Sequence, residues 1–272
     1  MTQAAIDFGI TNIDTILRLN GDLVHTRLLN SGQPLGEQIN AIIQAFQTDC
    51  PHLQRVAVTG GRYRSLPGQI NGIELVKVSE VAAIGRGGLY LSKLDEALVV
   101  SAGSGTAMVA ARGTSTTHVT GSAVGGGTLQ GLGRLLLGTA DAGEIDALAM
   151  RGNANKADLT LVEAVGSAVG KLPLDANAVN FGRLANEAET LAPEDLAAGL
   201  VRLVGQVIAV IAINAARAEG LPEIVVTGHL VDLPSVCRVL NEVSGYYQAS
   251  IRVPPRPGIG TAIGALLCLE AE

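Results

Sequence analysis

The chain has no tryptophan, and aromatic residues make up only 3% of its 272 positions. Its core must therefore be aliphatic and closely packed, with alanines and 34 glycines letting backbone elements approach one another. Cysteine is also scarce: Cys50, Cys237 and Cys268 are scattered, odd in number and free of CxxC or Cys/His spacing. That excludes a disulfide framework or a zinc site and leaves them reading as small buried hydrophobes. Positive charge is outnumbered, with 19 Lys and Arg against 25 Asp and Glu, a net charge of -6 and a pI near 5.3. Neither a nucleic-acid surface nor an anionic membrane surface fits such a balance, so the expected partner is a small molecule. The longest apolar run, residues 203–216, is interrupted by Gln206 and Asn214 and is shorter than a bilayer requires. The opening Met-Thr-Gln-Ala-Ala carries no basic, apolar leader, and a cytoplasmic location is expected. With 47% hydrophobic residues and a mean hydropathy of +0.35, the chain has ample material for a globular core.

What the chain has in abundance is glycine in loops. Gly121-Ser-Ala-Val-Gly-Gly-Gly-Thr-Leu-Gln-Gly-Leu-Gly133 runs straight into an apolar, helix-like stretch at 132–137. A loop with uncovered amides that feeds a helix N-terminus is suited to an anion. Three glycines at a helix entry carry an entropic cost with no evident local return, which favours a functional reading of Gly125, Gly126, Gly127 and Thr128. Asp7-Phe-Gly-Ile-Thr11 and Ala102-Gly-Ser-Gly-Thr106 have the same look, and three such loops in one chain point to phosphate. Each of these two is weaker alone: an Asp in a hairpin turn, or two glycines between strands, also occurs for conformational reasons. There is no GxxxxGK[ST], which excludes a P-loop enzyme, and no GxGxxG after the first strand, which disfavours a dinucleotide fold.

Periodicity predicts strands at 4–6, 12–19 and 23–29 with a turn at Asn20-Gly21-Asp22, a helix at 35–46, and strands at 55–59 and 74–78. A helix opens at Ser79-Glu80. The pattern then repeats with strands at 97–101, 107–111 and 116–120. Helices follow at 143–151, 160–165 and 194–219, strands at 224–227 and 251–253, and a last helix at 258–269; residues 153–156 and 172–180 read as loops. Two echoing α/β lobes, 1–95 and 96–272, would hold a nucleotide in the cleft between them, with the last helix packing back on the first lobe.

Phosphoryl transfer needs groups around the phosphates, a carboxylate to position magnesium and a base for the attacking hydroxyl. Asp7 can hold a hydrated Mg²⁺, Gly9 permits a tight turn and Thr11 offers a hydroxyl. Glu80, beyond the C-terminal end of a strand, is the candidate base, although a first-turn glutamate also serves simply to complement the helix dipole. His118 and His229 lie at strand edges, where a lone histidine is more often structural. The apolar stripe along 196–214 reads as core or subunit seam.

These motifs, together with Thr59-Gly-Gly61, Glu80-Val-Ala-Ala-Ile-Gly85, Val119-Thr-Gly121, Asn180-Phe-Gly182 and Gly258-Ile-Gly-Thr-Ala-Ile-Gly-Ala265, resemble the type II, or eukaryotic-like, Fumble pantothenate kinases. The resemblance spans nearly the whole chain and implies the acetate and sugar kinase, Hsc70 and actin superfamily: a two-lobed, actin-like (ribonuclease H-like) α/β fold. It further implies an ATP- and Mg²⁺-dependent kinase that phosphorylates the primary hydroxyl of pantothenate to 4'-phosphopantothenate in coenzyme A biosynthesis. A homodimer built on the helix at 194–219 and a CoA or acyl-CoA feedback ligand are also implied. By position, Glu80 matches the catalytic base and Asp7 the magnesium-associated aspartate. Gly9, Thr11, Gly103, Ser104, Gly105, Gly125, Gly126, Gly127, Thr128 and Gly228 match the nucleotide loops, and Ser104, Thr106 and His118 the acceptor side.

The departures from the pattern fall mainly on the acceptor side. His118 stands where the family carries an arginine, Ala107 where it has a serine hydroxyl, and Ile10 where it has a second glycine; Asp14 stands where lysine is frequent. An Arg fork offers fixed donors and permanent charge that imidazole lacks at neutral pH. A paralogous kinase for another hydroxylated acceptor, or a nucleotide- or CoA-binding regulator without catalysis, are the alternatives these departures raise. An iron-sulfur ATPase activator of the same superfamily would need clustered cysteines, which this chain lacks.

Overall fold

A computed structural model of the chain describes residues 3–19, 21–170, 172–185 and 190–271. The first half begins with three antiparallel strands, β1 (Gln3–Phe8), β2 (Asn12–Leu19) and β3 (Asp22–Leu29), and then helix α1 (Leu35–Asp49). Of the turn foreseen between β2 and β3, Asn20 lies outside the described residues, while Leu19 and Asp22 pair across it. Strands β4 (Arg55–Gly60), β5 (Gln69–Ile70) and β6 (Ile73–Lys77) complete a sheet of order β3-β2-β1-β4-β6-β5, and helix α2 (Glu80–Ser92) follows.

A second sheet begins with the antiparallel strands β7 (Glu96–Ala102), β8 (Thr106–Arg112) and β9 (Ser115–Ser122), and helices α3 (Gly126–Leu137) and α4 (Ala142–Arg151) come next. A small excursion holds the pair β10 (Leu159–Thr160) and β11 (Asn177–Val179) with the one-turn helix α5 (Leu161–Ala164) between them. Helix α6 (Pro193–Ala218), β12 (Glu223–Thr227), α7 (Pro234–Tyr247), β13 (Ser250–Arg252) and α8 (Gly260–Glu270) finish the chain. The second sheet has order β13-β12-β7-β8-β9, so each sheet joins an antiparallel three-strand meander to parallel strands.

The layers follow from which faces are apolar. On one side of the first sheet, α1 buries Ile39, Ile42, Ile43 and Phe46 against Ile6, Phe8, Val56 and Val58. On its other side lies α8, whose Ala262, Ile263, Ala265 and Leu266 pack with Ala5, Ile16 and Ala57. Helix α2 lies under the second sheet, Ile84 and Leu89 against Val99, Val109 and Val225. Between the sheets, α2 and α8 meet backbone to backbone: a Cβ on Gly87 would overlap the Gly260 carbonyl, and one on Gly264 the Ala83 carbonyl. The far face of the second sheet is covered by α6 and α7 in the largest core cluster.

Three expectations need correction. Residues 234–247 form helix α7, for which no element was foreseen, although Pro234 at its first turn and buried Val236, Val239, Leu240 and Val243 carry a helical period. The helix expected over 160–165 is the single turn α5, but the stretch 172–180 read as a loop contains β11, paired antiparallel with β10. The apolar run 203–216, read as too short for a bilayer, belongs to α6, which at 26 residues is long and apolar enough to cross a membrane by length and composition. Its most apolar stretch is 61% buried within the molecule, as in the core helix of a globular protein.

Candidate active site

The C-terminal ends of β1 and β7 open onto one cavity of about 500 Å³ between the two sheets, a size that suits a cofactor or nucleotide. From the first sheet it is lined by Asp7, Gly9, Thr11, Asn12 and Asp14, and from the start of α2 by Glu80. The second sheet contributes Gly103, Ser104, Gly105, Thr106 and Ala107, with Gly126 and Gln130 from α3 and Gly228 and His229 after β12. Of the residues singled out in the sequence, Gly125, Gly127, Thr128 and His118 do not line it. Gly125, Gly127 and Thr128 lie directly behind its wall, whereas His118 is exposed on β9, paired in register with Val109.

Asp7 is the penultimate residue of β1, in register with Asp14 on β2 and Thr59 on β4. Its carboxyl is pushed up to about 7, first by burial and then by the neighbouring charges of Glu80 and Asp14, with His229 opposing them. Three carboxylates thus converge on one end of the cavity, of which Asp14 is paired with two imidazoles. Two buried oxygens there, Asn12 Oδ1 and Thr59 Oγ1, have no hydrogen-bond partner in the protein. Among the described residues no group of three or more His, Cys, Asp or Glu side chains forms a metal cage. A hydrated Mg²⁺ fits this arrangement, since it is ordinarily held by one or two carboxylates, its own waters and substrate phosphates.

The glycine triplet has a different use from the one expected. Gly125 caps α3, and the amides of Gly126 and Gly127 donate to the carbonyls of Gly103 and Ser104 at 2.8 and 2.9 Å, while Gly125 N–H reaches Thr128 Oγ1 at 3.3 Å. A Cβ on Gly125 would overlap the Ser104 carbonyl oxygen at 2.7 Å, and one on Gly127 would crowd it at 3.1 Å. The triplet therefore has a structural return: it lets α3 seat directly on the β7–β8 turn. These amides are covered, and the turn they support carries Ser104 to the middle of the cavity. There Ser104 Oγ hydrogen-bonds Thr11 Oγ1 at 2.7 Å, joining the first-sheet loop to the second-sheet loop. Thr106 Oγ1, donating to the Val124 carbonyl at 2.9 Å, ties the same turn to the entry of α3.

Sequence reasoning gave no account of the group beside this contact. Asp14 is 3% exposed and receives His25 Nε2 on one carboxylate oxygen and His229 Nε2 on the other, both at 2.8 Å. His229 Nδ1 in turn meets Asp232 at 2.7 Å, and Arg27 on β3 lies 3.5 Å from the same Asp232. The two partners hold the His229 ring protonated, pushing it up to about 9 against the opposing effect of burial, and the Asp14 carboxyl is held low. Asp14 and His229 are separated by 215 positions. Pattern within either segment carries no trace of their meeting; the one signal was an acidic residue where the resembled family often has lysine.

A profile of the Fumble family matches residues 93–251, more than half of the chain. The chain is 26% identical over 274 residues to the type II pantothenate kinase of Oceanobacillus iheyensis, covering 98% of this chain and 99% of that one. Among solved structures it resembles the activator of the 2-hydroxyisocaproyl-CoA dehydratase from Clostridium difficile with bound ADPNP, at a TM-score of 0.68 and 16% identity over 98% of this chain and 94% of that one. It also resembles a ROK family protein from Streptococcus pneumoniae in complex with sucrose, at a TM-score of 0.60 and 13% identity over 98% and 97%. At such identities the structures show the fold, which is the two-lobed actin-like α/β architecture with its cleft between the sheets. By the profile match, the chain belongs to the Fumble family of type II pantothenate kinases.

Proposed function

We propose that the protein transfers the γ-phosphoryl group of ATP to the primary hydroxyl of pantothenate, giving 4'-phosphopantothenate and ADP. The observation that carries the proposal is the convergence of Asp7 and Glu80 on the cavity where Thr11 and Ser104 bridge the two lobes. In this reading the nucleotide lies between the Gly9–Thr11 loop and the Gly103–Gly105 turn, with Gly126 and Gly228 beneath it. Asp7 would hold the hydrated Mg²⁺ that neutralises phosphate charge, and a cation there relieves the crowding of Asp7, Glu80 and Asp14. Glu80, exposed at the first turn of α2, has the freedom to reach an acceptor hydroxyl. It would take that proton as the hydroxyl oxygen bonds to the γ-phosphorus and the bond to the leaving ADP breaks. Acceptor contacts would come from Ser104, Thr106 and Ala107.

We assign the lobes to residues 1–95 and 96–272, and propose a cytoplasmic homodimer sedimenting at twice the chain mass of 27.8 kDa. The test of function is coupled ADP release against pantothenate, pantetheine and a panel of hydroxy acids. Pantothenate should turn over, and Glu80→Gln should lower kcat by about 10²- to 10⁴-fold, the range for a general base. Absence of pantothenate turnover beside robust turnover of another acceptor would overturn the substrate assignment, and an unimpaired Glu80→Gln enzyme the base assignment.

A further inference from the structure

Two kinds of bond cross the cleft. One is the hydroxyl pair Thr11–Ser104, neutral and placed where the nucleotide is read to bind. The other joins Asp14 and Arg27, on β2 and β3 of the first sheet, to His229 and Asp232, in the turn that follows β12 of the second. Both ring nitrogens of His229 face carboxylate oxygens, at 2.8 and 2.7 Å. A carboxylate only accepts and a neutral imidazole donates from one nitrogen alone, so the geometry itself calls for an imidazolium with both N–H groups donating. Asp14, almost wholly buried, would be costly there without its two imidazole partners. The ring is confined from behind as well, since a Cβ on Gly258 would overlap it.

The residue before His229 is Gly228, which turns with φ +95°, donates to the Pro257 carbonyl at 2.9 Å and lies on the backbone of Ala102 at the end of β7. Fixing the His229 ring on Asp14 therefore fixes the floor of the second-sheet half of the cavity relative to the Asp7 strand. We propose that Asp14–His229, backed by Arg27–Asp232, is a clasp between the lobes, and that Asp14 and His229 are positioning residues that preform the nucleotide-binding arrangement. This rests on the nucleotide reading above. The clasp differs from Thr11–Ser104 in that it is charged and has no need to break when a phosphate enters between the two loops.

The test is a double-mutant cycle on Asp14→Asn and His229→Gln, with the full chain and a non-hydrolysable ATP analogue plus Mg²⁺ as probe. Calorimetry reads the Kd, and small-angle scattering reads the radius of gyration with and without the probe. Each single variant should weaken binding about tenfold and enlarge the ligand-free particle, and the double variant should be no worse than either single one, as coupled partners behave. Arg27→Met, which breaks only the outer pair, should act in the same direction by about threefold and serves if the buried substitutions do not fold. At saturating nucleotide kcat should recover in the variants, leaving the defect in KM, which a general loss of folded protein would not do. Additive effects in the cycle, or a scattering radius and Kd unchanged in Arg27→Met and in the folded variants, would overturn the clasp. If the wild-type chain does not bind the analogue, the nucleotide reading fails, while the scattering comparison still decides whether these residues hold the lobes together.

Discussion

Replacing Asp7 by Asn should make the ligand-free protein more stable while abolishing its activity. Burial and the charges of Glu80 and Asp14 raise the Asp7 carboxyl from 3.8 to about 7 in the folded chain. A carboxyl raised in this way opposes folding when ionised. The penalty is absent below pH 3.8, grows as pH rises between 3.8 and 7, and is constant above 7, because over that interval the native state binds more protons than the unfolded one. A shift of about three units corresponds to about 4 kcal/mol at full development, and solvent at the partly open cavity reduces it to about 2 kcal/mol. Asn carries no charge at any of these pH values and nearly matches the shape of the protonated acid. At pH 8, without Mg²⁺ or nucleotide, Asp7→Asn should therefore melt about 5 °C above wild type. The two curves should converge as pH falls toward 4. The assay is thermal unfolding of both proteins from pH 4.5 to 8.5. Equal melting temperatures across that range, or a less stable variant at pH 8, would show that Asp7 is not held at a cost in the empty site.

The clasp predicts a pH dependence of the same sign in a more alkaline range. His229 is raised from 6.5 to about 9, so its contribution is fully present below pH 6.5 and disappears as pH climbs through 9; the stability gap between wild type and His229→Gln, read from urea unfolding, should shrink from about 3 kcal/mol at pH 6 to near zero at pH 10. Gly87→Ala should destabilise the protein by about 3 kcal/mol or more in the same measurement, because its methyl group would overlap the Gly260 carbonyl where α2 crosses α8; a neutral substitution there would mean that the two helices are not in backbone contact. Gly125→Ala should cost about 1 to 3 kcal/mol by forcing α3 off the β7–β8 turn, and should raise the KM for ATP by displacing Ser104.

The regular elements were legible because their signals are local. The alternation in β1 and β2, the glycines closing β4 and β7 and the helical period of α1 and α6 can each be read within a window of ten or so residues, and they suffice to suggest two similar halves. The order of strands within the sheets and the insertion of α8 beside β1 and β4 depend on contacts between distant segments. Helix α7 shows a different failure: its buried Val236, Val239, Leu240 and Val243 at helical spacing, and Pro234 at its first turn, were a local signal that went unread. The lining of the cavity was legible wherever it consisted of strand ends and the turns after them, as at Asp7, Gly103 and Gly228. It was illegible wherever one loop acts on another, as between Asp14 and His229.

The glycine triplet shows a conspicuous pattern serving a structural purpose. Conspicuous glycines at a helix entry suggested amides waiting for phosphate, yet Gly126 and Gly127 already donate to the Gly103 and Ser104 carbonyls. Their lack of side chains serves distance: α3 can sit within a hydrogen bond of the β7–β8 turn, and that turn then has one place to be. Because Ser104 is fixed from behind and Thr11 meets it from the other lobe, the lobes of the ligand-free molecule touch through two hydroxyls able to exchange each other for a phosphate oxygen at little cost. Selectivity for a phosphorylated ligand would then reside in the rigidity of that turn and in the clasp beside it, more than in any free amide of the triplet. The two supports act on opposite lobes of the same gap, so weakening both, by Gly125→Ala and Arg27→Met together, should loosen nucleotide binding by more than the product of the separate effects; a simple product would mean that the lobes are positioned independently.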